Sequence, residues 1–142
     1  MSKEPRELVY DEIKIGDEAS FDVTITEELV RKFADVSGDN NPLHMDAGYA
    51  SQTPFYERVA HGMLIGSFFS RLVGMYLPGK YALYLSQTMS FRRPIPIGTT
   101  IKIRGTVSHK TDSAKTVAIS IAAEDAEANP LVSGEALVKL LK

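Results

Sequence analysis

The chain contains 142 residues, with 16 basic and 18 acidic side chains and a formal net charge of −2. This balance excludes a cationic surface for nucleic acid and a basic block for a membrane surface, so we expect small molecules or other protein chains as partners. A hydrophobic content of 44% over this length fits a single domain, residues 1–142, and the absence of cysteine excludes disulfides and Cys-ligated zinc.

The first quarter of the chain predicts a strand followed by a helix. The first seven residues, Met-Ser-Lys-Glu-Pro-Arg-Glu, lack the apolar run of a signal peptide, so we expect a cytoplasmic protein. Apolar residues then alternate with polar ones at Phe21, Val23 and Ile25, which is typical of a strand. Thr26 is suited to cap a helix that begins with two glutamates, and Gly38 is suited to the left-handed position that ends it.

The loop after this helix holds the most informative stretch, Ser37-Gly38-Asp39-Asn40-Asn41-Pro42-Leu43-His44. Asp39 and His44 lie on a segment broken by glycine and proline, so neither is fixed on a helix face and both can converge on one small molecule. Taken singly, each has a structural alternative, which is a turn carboxylate for Asp39 and a hydrogen-bonded structural histidine for His44. Asp46 is expected to cap a short helix over residues 47–51.

The segment from His61 to Leu77 predicts a buried helix that stops at Pro78. At ~1.5 Å per residue it reaches roughly 25 Å, and it carries an arginine, two serines and three glycines, so a helix buried against a sheet fits it better than a membrane span. Gly62 lies at the start, where unpaired backbone N–H groups can bind developing negative charge. The small residues on one side, and two apolar residues beside them, are Gly62, Gly66, Ser70, Phe69 and Val73. This stripe indicates either close packing or a ligand slot.

The second half of the chain predicts an antiparallel sheet. Apolar and polar residues alternate over residues 84–91, 101–108, 117–121 and 132–140. Short polar turns join the later runs, which favours antiparallel pairing. One face of such a sheet is apolar, and the segment from His61 to Leu77 is long and apolar enough to cover it. We therefore predict an α+β fold in which a curved antiparallel sheet wraps around one central helix.

Two other kinds of site fit the sequence less well. His44 and Asp46, with His61 or His109, imitate the two-histidine, one-carboxylate pattern of non-haem iron sites. A His-x-Asp pair is short enough to occur by chance, so we expect no metal. The chain contains no Gly-x-Ser-x-Gly motif, which disfavours a serine nucleophile.

Three motifs occur in an order and spacing that resemble one enzyme family. They are the stretch from Ser37 to His44, then Ala60-His61-Gly62-Met63-Leu64, then Phe91-Arg92-Arg93-Pro94-Ile95-Pro96-Ile97-Gly98. Together they resemble the MaoC-like (R)-specific enoyl-CoA hydratases, also called hydratase 2, and above all the short members with a single hotdog domain. The likeness extends from Tyr10 to Leu141. It implies a hotdog fold, in agreement with the predicted α+β roll, and hydration of trans-2-enoyl-CoA to (R)-3-hydroxyacyl-CoA.

The resemblance also implies roles for particular residues. Asp39 and His44 match the catalytic aspartate and histidine of the family, Ser70 its active-site serine and Gly62 its oxyanion donor. The helix residues expected against the substrate are His61, Gly66, Phe69 and Val73. CoA is part of the substrate, so no cofactor is expected. The family usually forms homodimers with each site near the subunit boundary.

Basic residues around the Pro-Ile-Pro loop are candidates for binding the CoA phosphates. Arg92 and Arg93 precede this loop, and Lys102 and Arg104 follow it on the next predicted strand. The alternative is that these are ordinary solvated charges at a sheet edge.

Three other functions stay open on the same fold. An acyl-CoA thioesterase would need a carboxylate on or facing the central helix, and that helix has none of its own between His61 and Leu77. An acyl-carrier-protein dehydratase would run the reverse reaction on a different carrier. A non-enzymatic acyl-CoA-binding protein would have a degenerate site, and the intact set of Asp39, His44 and Gly62 argues against it.

Overall fold

The computed structural model describes residues 4–142, and its centre is an antiparallel sheet. The strands are β1 (Glu18–Thr24), β2 (Ala82–Gln87), β3 (Ser90–Phe91), β4 (Thr100–Thr111), β5 (Thr116–Glu124) and β6 (Pro130–Leu140). The strand order is β1-β4-β5-β6-β2, and β3 also pairs with β6. Every pairing is antiparallel, as the short turns between the later strands predicted.

In the described part of the chain, four α-helices accompany the sheet: α1 (Glu27–Ser37), α2 (Pro42–Met45), α3 (Ala47–Ala50) and α4 (Gly62–Arg71). The predicted ends of α1 are confirmed, because Thr26 accepts a hydrogen bond from the backbone N–H of Leu29 and Gly38 adopts a φ of 77°. Asp46 caps α3 by accepting from the N–H of Tyr49. The stretch that carries Asp39 therefore begins directly after a well-defined helix end.

The long helix α4 lies against one face of the sheet and continues as a π-helical turn over Leu72–Tyr76. Its buried side is apolar and includes Ile65, Phe69 and Leu72, each 0% exposed. Leu72 packs directly on Gly105 of β4, where a Cβ atom would overlap its side chain. The predicted α+β fold, with a central helix covered by a curved sheet, is confirmed. Within residues 4–142, no helix is long and apolar enough to cross a membrane.

One predicted strand, residues 84–91, is divided in the structure into β2 and β3. The pairing of β2 with β6 shifts register between Tyr84 and Ser86, and the chain then bends at Thr88 over Gly134 of β6. A side chain at position 134 would overlap the Thr88 carbonyl, so the bend requires glycine there. The bend brings Phe91 to the first residue of α4.

Candidate active site

The loop that follows α1 is shaped by side chains that bond to its own main chain. The N–H of Asn41 donates to Asp39 Oδ1 at 3.1 Å, and the N–H of Leu43 donates to Asn41 Oδ1 at 2.9 Å. These consecutive Asx turns fix the path of the loop without burying it. The Asp39 carboxylate is exposed, and Oδ1 is the oxygen that accepts the Asn41 N–H. Asp39 Oδ2 therefore remains as the acceptor for a ligand.

The imidazole of His44 is held in one tautomer by a main-chain carbonyl. Nδ1 lies 2.7 Å from the oxygen of Val59, and since a carbonyl can only accept, Nδ1 carries the proton. The lone pair of Nε2 is then available to a ligand or a water molecule. His44 is half-buried on α2 and lines the same cavity as Asp39.

His61, the residue before α4, connects the two. Its Nε2 lies 2.9 Å from the main-chain oxygen of Asp39, to which it donates, and its ring stacks on that of His44 with centroids 4.1 Å apart. Phe33 of α1 packs against the His61 ring at 4.9 Å. His61 is 2% exposed, and its Nδ1 has no hydrogen-bond partner among residues 4–142. The His61 ring therefore contacts both residues: it donates a hydrogen bond to the main chain of Asp39 and stacks on the ring of His44.

The nitrogen and oxygen atoms offered by Asp39, His44 and His61 lie within 4.8 Å of one another, which raises the question of a metal. The two imidazoles are stacked with an angle of 29° between their planes. A metal binds in the plane of an imidazole, so stacked rings direct their lone pairs side by side rather than toward one point. This arrangement suits proton transfer better than metal ligation.

Of the iron-type set that the sequence suggested, only the two histidines His44 and His61 are brought together, without Asp46 or His109. The carboxylate of Asp46 caps α3 through the Tyr49 N–H at 3.0 Å, and His109 is exposed on β4.

A cavity of about 460 Å³ opens at the start of α4, within the usual size range of small-molecule sites. Its polar end is formed by Asp39, His44 and His61, and Arg92 and Arg93 lie along another part of its rim. The remaining lining residues are largely apolar and are Phe55, Ala60, Gly62, Met63, Ile65, Phe91, Pro94, Ile95 and Val132.

Gly62 begins α4 inside this cavity. No side chain caps the helix at His61, so among the described residues the first N–H groups of α4 have no side-chain acceptor. The ring of Phe91 lies against the Cα of Gly62, and a Cβ there would come within 2.6 Å of Phe91 Cε1. Gly62 therefore agrees with both interpretations of the small-residue stripe. It allows the close packing of the Phe91 ring, and it also lines the cavity.

The other predicted residues of α4 and its continuation do not line the cavity of this chain. Phe69 and Val73 are 0% and 1% exposed and belong to the core under the sheet. Gly66 packs against the sulfur of Met89, which indicates close packing. Ser70 is exposed and lies eight residues beyond Gly62, about 12 Å along the helix. A substrate contact for these four residues stays a prediction.

The basic cluster predicted for CoA phosphates divides into two parts. Arg92 and Arg93 border the cavity, and Arg92 Nε donates to Ser133 Oγ at 2.8 Å. Lys102 and Arg104 do not line it, since they pair with Asp22 at 3.1 Å and Glu124 at 2.9 Å on the sheet. Two of the four predicted basic residues, Arg92 and Arg93, therefore line the cavity.

Sequence reasoning missed Arg58, which contacts the main chain of a predicted catalytic residue. Its Nε donates to the His44 carbonyl at 2.5 Å, and its Nη1 binds both carboxylate oxygens of Glu27 at 3.0 and 2.9 Å. The hydrogen bond from Arg58 holds the pKa of Glu27 below its ordinary value of 4.5, against a raising effect of desolvation. A single arginine in a loop without periodicity gives no sequence signal of such contacts.

Comparison with known proteins agrees with this architecture. The family model described as the MaoC like domain matches residues 12–128. The chain is 35% identical over 130 residues to an (R)-specific enoyl-CoA hydratase of Aeromonas caviae, covering 90% of this chain and 96% of that protein. It is 32% identical over 142 residues to a 3-hydroxybutyryl-CoA dehydratase of Methylorubrum extorquens, covering 100% and 90%.

A solved structure supports the same relationship. The R-hydratase from Pseudomonas aeruginosa superposes with a TM-score of 0.91 at 36% identity, over 96% of this chain and 87% of that one. The match extends over nearly the whole sheet and α4, so the fold is the hotdog fold. The chain belongs to the MaoC-like family.

Proposed function

We propose that this protein is a hydro-lyase that adds water to trans-2-enoyl-CoA to give (R)-3-hydroxyacyl-CoA, and that catalyses the reverse dehydration. The observation that carries the proposal is the meeting of Asp39, His44 and the start of α4 at one cavity. The names and whole-length similarity of the relatives from Aeromonas caviae and Methylorubrum extorquens support it.

Asp39 and His44 act together as acid/base groups on one water molecule. In an enoyl thioester the carbonyl withdraws electrons from C3, so water adds there while C2 gains a proton. Asp39 Oδ2 and His44 Nε2 hold that water, since Oδ1 and Nδ1 already bond to the main chain. One group takes the water proton and the pair delivers a proton to C2.

Negative charge on the thioester oxygen is stabilised by the start of α4. Gly62 lines the cavity at the first residue of α4, so we assign its N–H and the positive end of the helix dipole to this role. A preorganised donor of this kind is worth on the order of 10² to 10³ in rate. Water held by Asp39 and His44 adds to one face of the double bond only, and we assign the (R) configuration to the product from the name of the Aeromonas caviae relative.

We assign the CoA phosphates to Arg92 and Arg93, the two cations that border the cavity. Removing Arg92 should raise KM for CoA thioesters more than KM for the dephospho-CoA analogue, because only the first carries the additional phosphate. Arg104→Ala is the matched control, since Arg104 pairs with Glu124 outside the cavity. Equal KM changes for both substrates would remove Arg92 from phosphate binding.

We propose that the working form is a homodimer. The edge strand β2 exposes Leu83 and Leu85, and α4 exposes Ser70 and also Met63, which borders the cavity. Unpaired edges and apolar surface of this kind are covered by association. The role that the resemblance implies for Ser70 then depends on the second copy, because Ser70 is not in the cavity wall of its own chain. Light scattering of the purified protein tests the dimer.

The proposed reaction uses no cofactor beyond the CoA of the substrate, because every proton transfer is assigned to Asp39, His44 and water. Dialysis against EDTA should leave the rate unchanged, and lost activity restored by a metal ion would contradict this. A cytoplasmic location stays a prediction.

The decisive experiment measures loss of the enoyl thioester absorbance across a series of chain lengths, with chiral analysis of the product. We expect hydration of crotonyl-CoA and the (R) alcohol. Release of free CoA from saturated acyl-CoA would indicate a thioesterase instead. Turnover of acyl-carrier-protein substrates in preference to CoA substrates would indicate the dehydratase of fatty-acid synthesis. Binding of acyl-CoA without turnover would indicate the non-enzymatic protein.

A further inference from the structure

Residues 58–60 connect α2 to the Pro-Ile-Pro loop beside the cavity, and we call them the 58–60 strap. On one side the N–H of Val59 donates to the Leu43 carbonyl at 3.3 Å. On the other side the N–H of Ala60 donates to the Ile95 carbonyl at 2.8 Å, and the N–H of Ile97 donates to the Arg58 carbonyl at 3.4 Å. The strap then runs directly into His61 and α4. Any movement of the strap therefore changes the positions of three parts of the site together.

The side chain of Arg58 adds a second connection to α2. Its Nε donates to the main-chain carbonyl of His44 at 2.5 Å, while the Val59 carbonyl accepts from the His44 ring at 2.7 Å. His44 is thus held by the strap at its ring and at its main chain. The Arg58 side chain is only 16% exposed, so water competes weakly for its hydrogen bonds.

Glu27 fixes Arg58 in turn. The two carboxylate oxygens lie 3.0 and 2.9 Å from Arg58 Nη1, and Glu27 is in the first turn of α1, where an acidic side chain is also favoured by the helix dipole. Asp39 follows the other end of α1, about 16 Å away along the eleven-residue helix. The contacts Glu27–Arg58–His44 therefore connect α1, which leads to Asp39, to α2, which carries His44.

We propose that Arg58, anchored by Glu27, is a positioning residue that fixes the orientation of His44 toward the water held with Asp39. The kinetic part of this inference rests on the proposed hydratase function. The structural part concerns only the imidazole of His44 and can be measured without turnover.

The kinetic experiment uses Arg58→Met, Arg58→Lys and Glu27→Gln. We expect Arg58→Met to lower kcat about tenfold with KM changed less than twofold, because a misplaced acid/base group weakens the chemical step rather than substrate binding. Arg58→Lys keeps the charge without the planar fork and should recover part of kcat. Glu27→Gln should cost two- to threefold. Arg31→Met is the matched control, since Arg31 binds the same Glu27 at 3.4 Å but is 64% exposed and does not contact His44.

The spectroscopic experiment records long-range ¹H–¹⁵N spectra of the imidazoles, of which the chain has three. In the wild type we expect His44 to show one tautomer, protonated at Nδ1. In Arg58→Met its signals should broaden or report both tautomers, while those of His109 stay unchanged and serve as the internal reference.

The outcomes separate the inference from the proposed function. Unchanged kcat in Arg58→Met and Glu27→Gln, together with an unchanged His44 spectrum, would overturn the inference. A loss of activity that only follows the fraction of unfolded protein, measured by thermal melting, would assign Arg58 a purely structural role and also overturn it. A wild-type protein that does not hydrate enoyl-CoA would end the proposed function, and the His44 spectrum would still decide whether Arg58 positions the ring.

Discussion

The sheet with α4 and the segment from Gly38 to His61 are two regions held together in different ways. In the first, large apolar side chains such as Phe69 and Leu72 are fully buried, and their stabilisation depends on the area removed from water rather than on direction. In the second, much of the surface is exposed, and side chains bond to main-chain atoms at defined angles. Substitutions in the first region should therefore change stability, and those in the second should change geometry and rate.

The largest effect is expected at the acid/base pair. Asp39→Asn and His44→Gln should each lower kcat/KM for crotonyl-CoA by about 10² to 10⁴, the usual contribution of a positioned proton-transfer group. The melting temperature should hardly change, because Asp39 is exposed and His44 is half-buried. Asp35→Asn on the exposed side of α1 and His109→Gln on β4 are the matched controls. Rates like the wild type in either site variant would remove that residue from the chemistry.

The next largest effect is expected on stability, from a substitution in the core. Leu72→Ala should lower the free energy of unfolding by about 2–5 kcal/mol, because the fully buried side chain leaves a cavity above Gly105. At a temperature where the variant remains folded, kcat should stay within about twofold of the wild type.

Val36→Ala is the control for the core substitution, since Val36 is 83% exposed on α1 and lies outside the surface assigned to the dimer, so its loss should cost under about 0.5 kcal/mol. Chemical denaturation measures both variants. A stable Leu72→Ala protein with greatly reduced kcat would contradict the separation of the two regions.

A smaller effect is expected at His61, the residue at which the second region joins α4. His61→Leu removes the donor to the Asp39 carbonyl, whereas His61→Gln retains an N–H group of similar reach. Both lose the stacking on His44, so their difference isolates the hydrogen bond. We expect kcat/KM of the leucine variant to be about three- to tenfold lower than that of the glutamine variant, the value of one hydrogen bond. Equal rates for the two variants would show that the bond to Asp39 does not position the carboxylate.

The smallest effect is a dependence of stability on acid. Arg58 lowers the pKa of Glu27 in the folded state below 4.5, so the pair stabilises the protein fully above about that pH and is lost as the pH falls through the lower folded pKa. The difference in melting temperature between the wild type and Glu27→Gln should therefore shrink from about pH 6 to about pH 3. A difference that grows in acid would contradict the sign of the shift.

The parts of the fold that depend on local pattern were predictable from the sequence. The capping residues Thr26 and Gly38 and the alternating strands act through neighbours within a few positions, so the sequence contains the whole signal. The break between β2 and β3 was not predictable, because it depends on Gly134 more than forty residues later.

The site was also predictable only in part. Asp39, His44 and Gly62 were found through motifs, and the structure brings them to one cavity. The angular position of Phe69 and Val73 on the helix fits either a core or a pocket, and only the packed sheet shows that they face the core. Arg58 was missed because its partners, Glu27 and His44, are 31 and 14 positions away.

The hydrogen bond from His44 to the carbonyl of Val59 has an evolutionary consequence. Every amino acid supplies a main-chain carbonyl, so the tautomer of the imidazole does not depend on which side chain occupies position 59. The same holds for the Asp39 carbonyl that accepts from His61. Divergent descendants can thus replace residue 59 with any side chain that packs there while the protonation pattern is inherited unchanged.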